Sequence, residues 1–258
     1  MKKESNLALY NENYFAVMAN DIIKGRQSMT LQAARLLRLM ISKVVKEDKD
    51  LRTYVCKITE LARFLGIPKN DMYRDVQSIC DKLHKSCVYI GTGNPKRPWR
   101  QLNWISMSEY DGKGNLTIRL SEDIKPYVVG LEKYFTQYQL KNILSFSSFY
   151  ALRLYELIKY KDGMQREGMD SVEFSIQELR EAVDCLEKYK PFANFRIKVI
   201  DIAVKEINEK SDIEVTPQYM HEGRKITGVK FELHINKNPN NPNSPINKII
   251  KKQENNTN

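Results

Sequence analysis

The sequence contains no long apolar segment. None of its hydrophobic runs approaches the roughly 18 consecutive residues of a membrane-spanning helix, although 41% of the 258 residues are hydrophobic and 29% are charged. The N-terminal stretch MKKESNLALYNENYFAVMAND starts with lysines but has neither a continuous apolar core nor a small-residue cleavage site. We therefore expect a globular protein that is not inserted in a membrane and that stays in the cytoplasm.

Signatures of nucleotide hydrolysis, metal binding and DNA cleavage are also missing. The sequence has no GxxxxGK[ST] or HExxH segment, and its three histidines, His84, His221 and His234, lack the spacing of a metal site. Its four cysteines fit neither a CxxC motif nor a small disulfide framework. A nicking relaxase would need a tyrosine beside a histidine cluster, which none of the 14 tyrosines has. We predict no catalytic residue, no metal and no cofactor.

Acidic residues are too few to balance the basic ones. Lysine and arginine total 42 against 32 acidic residues, which gives a net charge of +10 and a pI near 9.3. This excess favours a polyanionic partner, with nucleic acid first. Part of it lies in the Asn- and Pro-rich segment 237–258, which has little to bury and which we expect to be disordered. The folded part should end near Asn236.

Two distant parts of the chain share one pattern. The stretches SMTLQAARLLRLMISKVV and SSFYALRLYELIKYK both predict amphipathic helices, and at an offset of 118 residues Arg35 matches Arg153. The same offset aligns ITELARFLGI with SIQELREAVD, so that Glu60 matches Glu178. Beyond Leu65 the offset becomes about 124, as if six residues were inserted near LEKYKPF. We interpret the pattern as an internal duplication.

Each copy continues into a predicted β-hairpin. Period-two alternation in NLTIRL and GVKFELHI indicates strands that pair with LNWISMSEY and DIEVTPQYM across the turns DGKG and HEGRK. Helix, short helix, longer helix and hairpin is the order of a winged helix. We therefore predict an α+β protein with two tandem winged-helix domains related by duplication. The predicted segments are an N-terminal arm at 1–19, domains at 20–140 and 141–236, and a tail at 237–258.

The first copy predicts a helix-turn-helix in its middle. Gly66 and Pro68 should break the first helix, Asn70 or Asp71 should cap the second, and an apolar stripe from Met72 to Leu83 should pack inward. The second helix then presents polar side chains that could reach phosphates or base edges in a major groove. These are Asn70, Tyr73, Arg74 and Gln77. The alternative to DNA contact is that these side chains only face solvent, on a helix pair with a purely structural role.

The second copy begins with a capping box at Ser175 and Glu178. Its longer helix, FANFRIKVIDIAVKEIN, should turn its polar side chains outward, with the basic ones concentrated near the N-terminal end. The outward residues are Asn194, Arg196, Lys198, Asp201 and Lys205. Arg196 is the best candidate for a bidentate guanine contact, because its planar guanidinium matches O6 and N7. We predict that this helix reads DNA.

Two loops carry further cations. In HEGRK, a glycine that permits a tight bend places Arg224 and Lys225 at a hairpin tip, near a phosphate or a narrow minor groove. In GTGNPKRPWR, Lys96, Arg97 and Arg100 could reach backbone phosphates. Both loops could equally be plain solvated connections.

With these features in place, the sequence resembles the initiator replication proteins of iteron-containing, theta-replicating plasmids. The resemblance covers roughly Asn20 to Ile235 and is most specific in FTQYQLKNILSFSSFYALRLYELIKYK, FRIKVIDIAVKEIN and GRKITGVKFEL. It implies two pseudo-symmetric winged helices that bind a directly repeated origin site as a monomer. It also implies a dimer that represses the initiator's own gene through an inverted repeat.

The resemblance assigns roles to the candidate residues. The helix with Arg196 and Lys198 would be the main base reader, assisted by the hairpin tip with Arg224 and Lys225, while the helix around Arg74 would contact the other end of the repeat. Where relatives often carry a run of arginines after the phenylalanine, this chain has RIK. Contacts at position 197 are therefore not carried over.

The resulting hypothesis is a noncatalytic plasmid replication initiator that binds double-stranded origin repeats and recruits host replication initiation and helicase proteins. The first alternative is a winged-helix transcriptional regulator without a role in replication, which tandem repeats of about 20 base pairs beside the gene would argue against. A DNA-nicking enzyme and a pure protein-interaction module are the other two.

Overall fold

The computed structural model describes residues 13–91, 96, 98–164, 170–238 and 240–245, together with the backbone of a two-residue strand at 5–6. It divides into two compact units on either side of the bond between Leu140 and Lys141. The predicted combination of α-helices and antiparallel strands, an α+β fold, is confirmed.

Over its described residues, the N-terminal unit combines four helices, one 3-10 helix and nine strands. In chain order they are β1 (Ser5–Asn6), β2 (Phe15–Ala19), α1 (Asn20–Lys24), β3 (Arg26–Gln27), α2 (Leu31–Ile41), β4 (Thr53–Lys57), α3 (Ile58–Leu65), α4 (Lys69–His84), β5 (Cys87–Ile90), β6 (Arg100–Asn103), β7 (Ile105–Tyr110), β8 (Asn115–Leu120), the 3-10 helix Glu122–Tyr127 and β9 (Phe135–Gln139).

The C-terminal unit repeats the middle part of this order. It contains α5 (Lys141–Leu144), α6 (Phe149–Asp162), β10 (Ser171–Ser175), α7 (Ile176–Ala182), a long helix that we call α8, β11 (Ile213–Glu222) and β12 (Lys225–Ile235). Helix α8 runs without interruption through Phe192–Phe195, a π-helical turn at Arg196–Ile200, and Asp201–Lys210.

Each unit has its own sheet, and the two sheets contain an equivalent set of three antiparallel strands. In the N-terminal unit β1 adds a fourth strand, parallel to β4. In the N-terminal unit β8 pairs with both β4 and β7, and in the C-terminal unit β12 pairs with both β10 and β11. The sequence predicted the hairpins β7–β8 and β11–β12 but missed the third strands. Strands β4 and β10 are equivalent under the same offset of 118, since Thr53–Lys57 maps onto Ser171–Ser175. The duplication thus extends to the sheets.

The helix-turn-helix of the first copy forms as predicted. Helix α3 ends at Gly66, whose φ of 66° is the left-handed conformation that glycine adopts without strain. The expected cap at Asn70 or Asp71 is wrong, because Pro68 is the N-cap and the helix already begins at Lys69. The stripe from Met72 to Leu83 is buried as expected.

Helices α2 and α6 are buried more completely than amphipathic surface helices would be. Every residue of α2 from Ala33 to Ile41 is buried, as is every residue of α6 from Ala151 to Ile158. The expectation of an amphipathic helix is therefore wrong for α6, whereas α2 keeps the amphipathic pattern that was predicted. Each is the central helix of its unit, covered by the helix-turn-helix and by other elements.

Equivalent buried arginines join each central helix to its helix-turn-helix. Arg35 Nη1 donates to the carbonyl of Leu65, the last residue of α3, at 3.3 Å. Arg153 Nε donates to the carbonyl of Ala182, the last residue of α7, at 3.4 Å. Carbonyls at a helix C-terminus have no partner within the helix, so these arginines satisfy them from outside. Arg153 also forms a buried ion pair with Glu156 at 2.5 Å.

The predicted arm is not separate from the N-terminal unit. Over its described residues it forms β2, which pairs antiparallel with β9, and Ala16 and Met18 are fully buried. The expected boundary at residue 20 therefore lies too far along the chain. The sequence did not reveal β2 because only alternate residues of the strand are buried, so it contains no continuous apolar run.

The described part of the predicted tail is also packed. Asn241, Asn243 and Ser244 are buried, so the expected end of ordered structure near Asn236 is wrong for the residues described beyond it. The remainder of the predicted tail, residues 239 and 246–258, lies outside the described residues. Composition misled the prediction here, because the asparagines contribute hydrogen bonds instead of apolar area.

These asparagines satisfy the C-terminal end of α8. Asn236 Nδ2 donates to the carbonyl of Asn208 at 2.7 Å, and Asn241 Nδ2 donates to that of Ser211 at 2.6 Å. Asn243 Nδ2 donates to the carbonyls of both Lys210, at 2.7 Å, and Lys141, at 2.9 Å. The segment therefore supplies donors to carbonyls at the end of α8, and Asn243 connects the start of the unit to the end of its long helix.

Replacing Asn243 by alanine should lower the free energy of unfolding by about 1 to 3 kcal/mol, because the carbonyls of Lys141 and Lys210 lose the hydrogen bonds from its amide. Chemical denaturation of the full chain measures the change. Asn240→Ala, in the same segment but exposed, is the matched control and should change stability by less than about 0.5 kcal/mol. Equal effects of the two substitutions would contradict the packing role of Asn243.

Candidate nucleic-acid interface

The outer face of α8 carries the basic residues that the sequence singled out. Asn194, Arg196, Lys198 and Lys205 are all exposed, whereas Phe195 is fully buried beneath them. The first half of the helix has only basic charges, since its first acidic residue is Asp201. A helix with this distribution presents a cationic N-terminal half, the half that helix-turn-helix proteins insert in a major groove.

The π turn in α8 was not foreseen, although the sequence carries a signal for it. Its core residues recur every four positions, at Phe195, Val199, Ala203 and Ile207, and all four are buried. In an α-helix each step of four residues rotates by about 40° beyond a full turn, so three steps would carry the stripe about 120° away from the core. A π turn holds more residues per turn and cancels part of this drift.

The π turn also sets the surroundings of Arg196. The amide of Asp201 donates to the carbonyl of Arg196 across the wider turn, and the Asp201 carboxylate lies 3.5 Å from Arg196 Nε. Arg196 is thus not a free cation, but its side chain remains 45% exposed. A single long ion pair at this exposure is weak, so the guanidinium can exchange it for a stronger contact at modest cost.

Tyr219 links the hairpin of the C-terminal unit to α8. Its hydroxyl lies 3.4 Å from Asp201 Oδ1, and its ring meets Phe192 edge-to-face at 5.5 Å between centroids. Burial and the nearby Asp201 carboxylate raise the pKa of Tyr219 to about 12, so the hydroxyl stays protonated and can donate. The first strand of the hairpin is therefore fixed against the N-terminal half of the helix.

The N-terminal unit has a comparable aromatic link. Tyr73 on α4 meets Tyr110 on β7 edge-to-face at 6.4 Å, and its hydroxyl lies close to Gly114 in the hairpin turn. Tyr73 is 39% exposed. The structure thus places Tyr73, which was predicted as a DNA contact, between the helix and the hairpin. One side of its ring is already in contact with Tyr110.

Arg180 organises the turn that precedes α8. Its two terminal nitrogens donate to the carbonyls of Cys185, Lys188, Tyr189 and Lys190 at 2.9 to 3.2 Å. The guanidinium also lies 4.3 Å from the ring centroid of Phe195, at the start of α8. This turn contains the six extra residues of the second copy, and the aligned position in the first copy is Ala62. One arginine therefore shapes the insertion and ties it to α8.

The hairpin tip of the C-terminal unit is tight and cationic. Glu222 pairs with Lys225, which leaves a two-residue turn, and Gly223 has a φ of 59° that suits glycine. Arg224 and Lys225 are exposed at this tip. The tip lies beyond the end of β10, whose last pair joins Ser175 to Gly228.

The outer face of α4 differs in its charge. Asn70, Arg74 and Gln77 are exposed as predicted, but Arg74 is bound by two carboxylates, Asp71 at 2.9 Å and Asp75 at 2.8 Å. The hydrogen bond from Arg74 holds the pKa of Asp75 below its usual value. A phosphate or base that approached Arg74 would also meet these two negative charges.

The predicted cationic loop of the N-terminal unit is described only in part. Lys96 and Arg100 are exposed, and Arg97 lies outside the described residues. Arg100 donates to the hydroxyl of Tyr127 at 3.0 Å. This contact ties its guanidinium to the 3-10 helix, so only part of its donor set is available to another ligand.

The described residues do not contain a cluster of three or more histidine, cysteine or acidic side chains placed to bind a metal. In the same part of the chain, every helix is too short or too polar to cross a bilayer.

Replacing Arg180 by lysine should loosen the turn before α8. A lysine keeps the charge but has three donors and no planar group to stack on Phe195, so several carbonyls lose their partner. We expect the free energy of unfolding to fall by about 1 to 3 kcal/mol and trypsin to cleave faster after Lys188, as mapped by mass spectrometry. Arg119→Lys, at an exposed arginine of β8, is the control. Unchanged cleavage after Lys188 would refute the assigned role.

Comparison with known proteins agrees with this architecture. The family described as "Initiator Replication protein, WH1" matches residues 16–159, and "Initiator Rep protein, WH2" matches residues 175–233. A replication initiation protein of Escherichia coli is 21% identical, over 90% of this chain and 71% of its own length. The PI protein of Escherichia coli is 30% identical over 52% of this chain and 48% of its own length.

A solved structure shares the fold. The crystal structure of Pi initiator protein in complex with iteron DNA covers 89% of this chain and 100% of the solved chain, with a TM-score of 0.72 and 22% sequence identity. The tandem winged-helix prediction is confirmed by these matches. Because the first family match alone spans more than half of the sequence, the chain belongs to the initiator replication protein family.

Proposed function

We propose that this initiator binds directly repeated duplex sites at a plasmid origin and reads them chiefly through α8. The observation that carries the proposal is the combination, in one unit, of the exposed Arg196 and Lys198 on α8 with the exposed Arg224 and Lys225 at the hairpin tip. Cations on a helix and on a neighbouring turn suit base edges in a groove and the adjacent phosphates, respectively.

The two units contribute unequally under this proposal. On α8, Arg196 has one long contact with a carboxylate, that of Asp201 at 3.5 Å, whereas Arg74 on the outer face of α4 is bound to both Asp71 and Asp75 at shorter distances. Helix α4 would therefore contact DNA mainly through the neutral side chains of Asn70 and Gln77. Amide side chains can pair with adenine, so this contact adds specificity more than affinity.

Further roles rest on family membership and on the sequence resemblance. They are the recruitment of host replication initiation and helicase proteins after the repeats are bound, and repression of the initiator's own gene by a dimer. An initiator must couple recognition of the origin to loading of other proteins, since DNA binding alone does not start synthesis.

A replication assay separates this proposal from that of a transcriptional regulator. A plasmid that carries the DNA flanking this gene, but no initiator gene of its own, should replicate when the chain is supplied from a second replicon. Footprinting of the purified protein on the same DNA should show protection at regular intervals. Protection without replication would favour the regulator, and the absence of both would refute the proposal.

Binding to these repeats should depend steeply on salt. If roughly six to ten phosphates are contacted, the affinity should fall by about 10³ to 10⁵ between 50 and 200 mM salt. Fluorescence anisotropy with a labelled repeat measures the slope. An affinity that stays within a factor of about three over this range would mean that phosphates are not the main contacts.

Arg196→Ala should weaken binding to the footprinted repeat by about 1 to 3 kcal/mol and relax the preference at one base pair. Arg74→Ala is the matched comparison. It should weaken binding less than Arg196→Ala does, because it removes a cation that is already bound to two carboxylates. Titrations of both variants with the specific repeat and with a random duplex measure these changes in affinity and preference. Loss of affinity with Arg74→Ala but not with Arg196→Ala would reverse the assignment of the reading helix.

A further inference from the structure

Two isoleucines interrupt the polar outer face of α8. Ile197 is 49% exposed and Ile202 is 40% exposed, whereas Val199 and Ile200 between them are buried. A single exposed aliphatic side chain is common on protein surfaces. Two exposed isoleucines on the otherwise polar outer side of one helix are less common. Their position on the helix determines what they can contact.

Ile197 lies in the cationic half of the helix, directly between Arg196 and Lys198, both of which are exposed. In a regular α-helix, residues five apart, such as Ile197 and Ile202, point about 140° away from each other. The π turn, closed by the hydrogen bond from the Asp201 amide to the Arg196 carbonyl, reduces this angle. The two isoleucines therefore lie closer to a common line along the outer face.

An isoleucine cannot donate or accept a hydrogen bond, so it cannot replace an arginine against a guanine or a phosphate. The apolar feature that a major groove offers is the C5-methyl group of thymine. The neighbouring cations Arg196 and Lys198 favour a polyanion over an apolar protein surface as the occupant of this face. Duplex DNA supplies the negative charge and the methyl groups together.

We propose that Ile197 and Ile202 contact thymine methyl groups and thereby select A·T pairs beside the base that Arg196 reads. The inference rests on the proposed function, because it requires α8 to lie in a major groove. It assigns to the two isoleucines a share of the sequence preference that the cations alone do not provide.

Replacing thymine by uracil tests the contact without changing base pairing. The footprinted fragment is amplified with either dTTP or dUTP, and binding of the full chain to each form is measured by titration. Removing one buried methyl group should weaken binding about fourfold, and removing two should weaken it about tenfold or more. The wild-type chain should therefore prefer the thymine form by roughly 4- to 15-fold.

Variants of the isoleucines assign the preference to α8. Ile197→Ala and Ile202→Ala should each bind the thymine form more weakly and show a smaller ratio between the two forms, and the double variant should bind both forms alike. Ile235→Ala is the matched control, since Ile235 is 65% exposed at the end of β12 remote from the hairpin tip. It should keep the wild-type ratio. Thermal unfolding of each variant verifies that the exposed substitutions leave the fold intact.

The outcomes separate the inference from the function on which it rests. Equal affinity of the wild-type chain for both forms, with the footprint retained, would overturn the methyl contacts and leave the proposed function standing. A preference for thymine that survives in the double variant would overturn the assignment to these isoleucines. Wild-type binding by the double variant, together with failed plasmid replication, would place a protein partner on this face. The absence of any footprint would refute the proposed function itself.

Discussion

Buried guanidinium groups determine how each helix-turn-helix is fixed to its unit. An arginine keeps its charge under all ordinary conditions, so it can be buried only where its donors are matched by acceptors. Arg35 and Arg153 find such acceptors at the last carbonyls of α3 and α7, and Arg180 finds four in the turn before α8. Each carbonyl then has one partner in a fixed direction, which apolar packing alone would not impose.

This arrangement explains why the two copies could diverge in their outer faces. The central helices, the first helices of each motif and the strands β4 and β10 retain the same offset, and with it the arginine that joins the two helices. The second helices lie beyond these contacts and are constrained mainly by their inner stripe. One has acquired carboxylates around Arg74, and the other has acquired an inserted turn with its own arginine. Duplication of the scaffold thus left the exposed surfaces free to specialise.

The sequence predicted the features that depend on the spacing of apolar residues. It did not predict contacts between side chains that are far apart in the sequence. The order of elements in both copies, the inner stripes of α4 and α8 and the exposure of Arg196 follow from apolar spacing. The binding of Arg74 by Asp71, three residues before it, could have been predicted from the same helical spacing, whereas the contact with the adjacent Asp75 could not. The contact of Tyr73 with Tyr110 and the packing of the Asn-rich segment could not, because each requires knowing which distant strand or carbonyl lies nearby.

The asparagine side chains that cover the end of α8 make this site sensitive to chemical ageing. The amide of Asn243 donates two hydrogen bonds, to the carbonyls of Lys210 and Lys141. Hydrolysis of that amide to a carboxylate would remove both hydrogen bonds and set a negative charge against the negative end of the helix. Slow deamidation in storage would therefore release this segment from the end of α8 first. Peptide mapping of aged protein would detect the modified residue 243 before bulk unfolding is detectable.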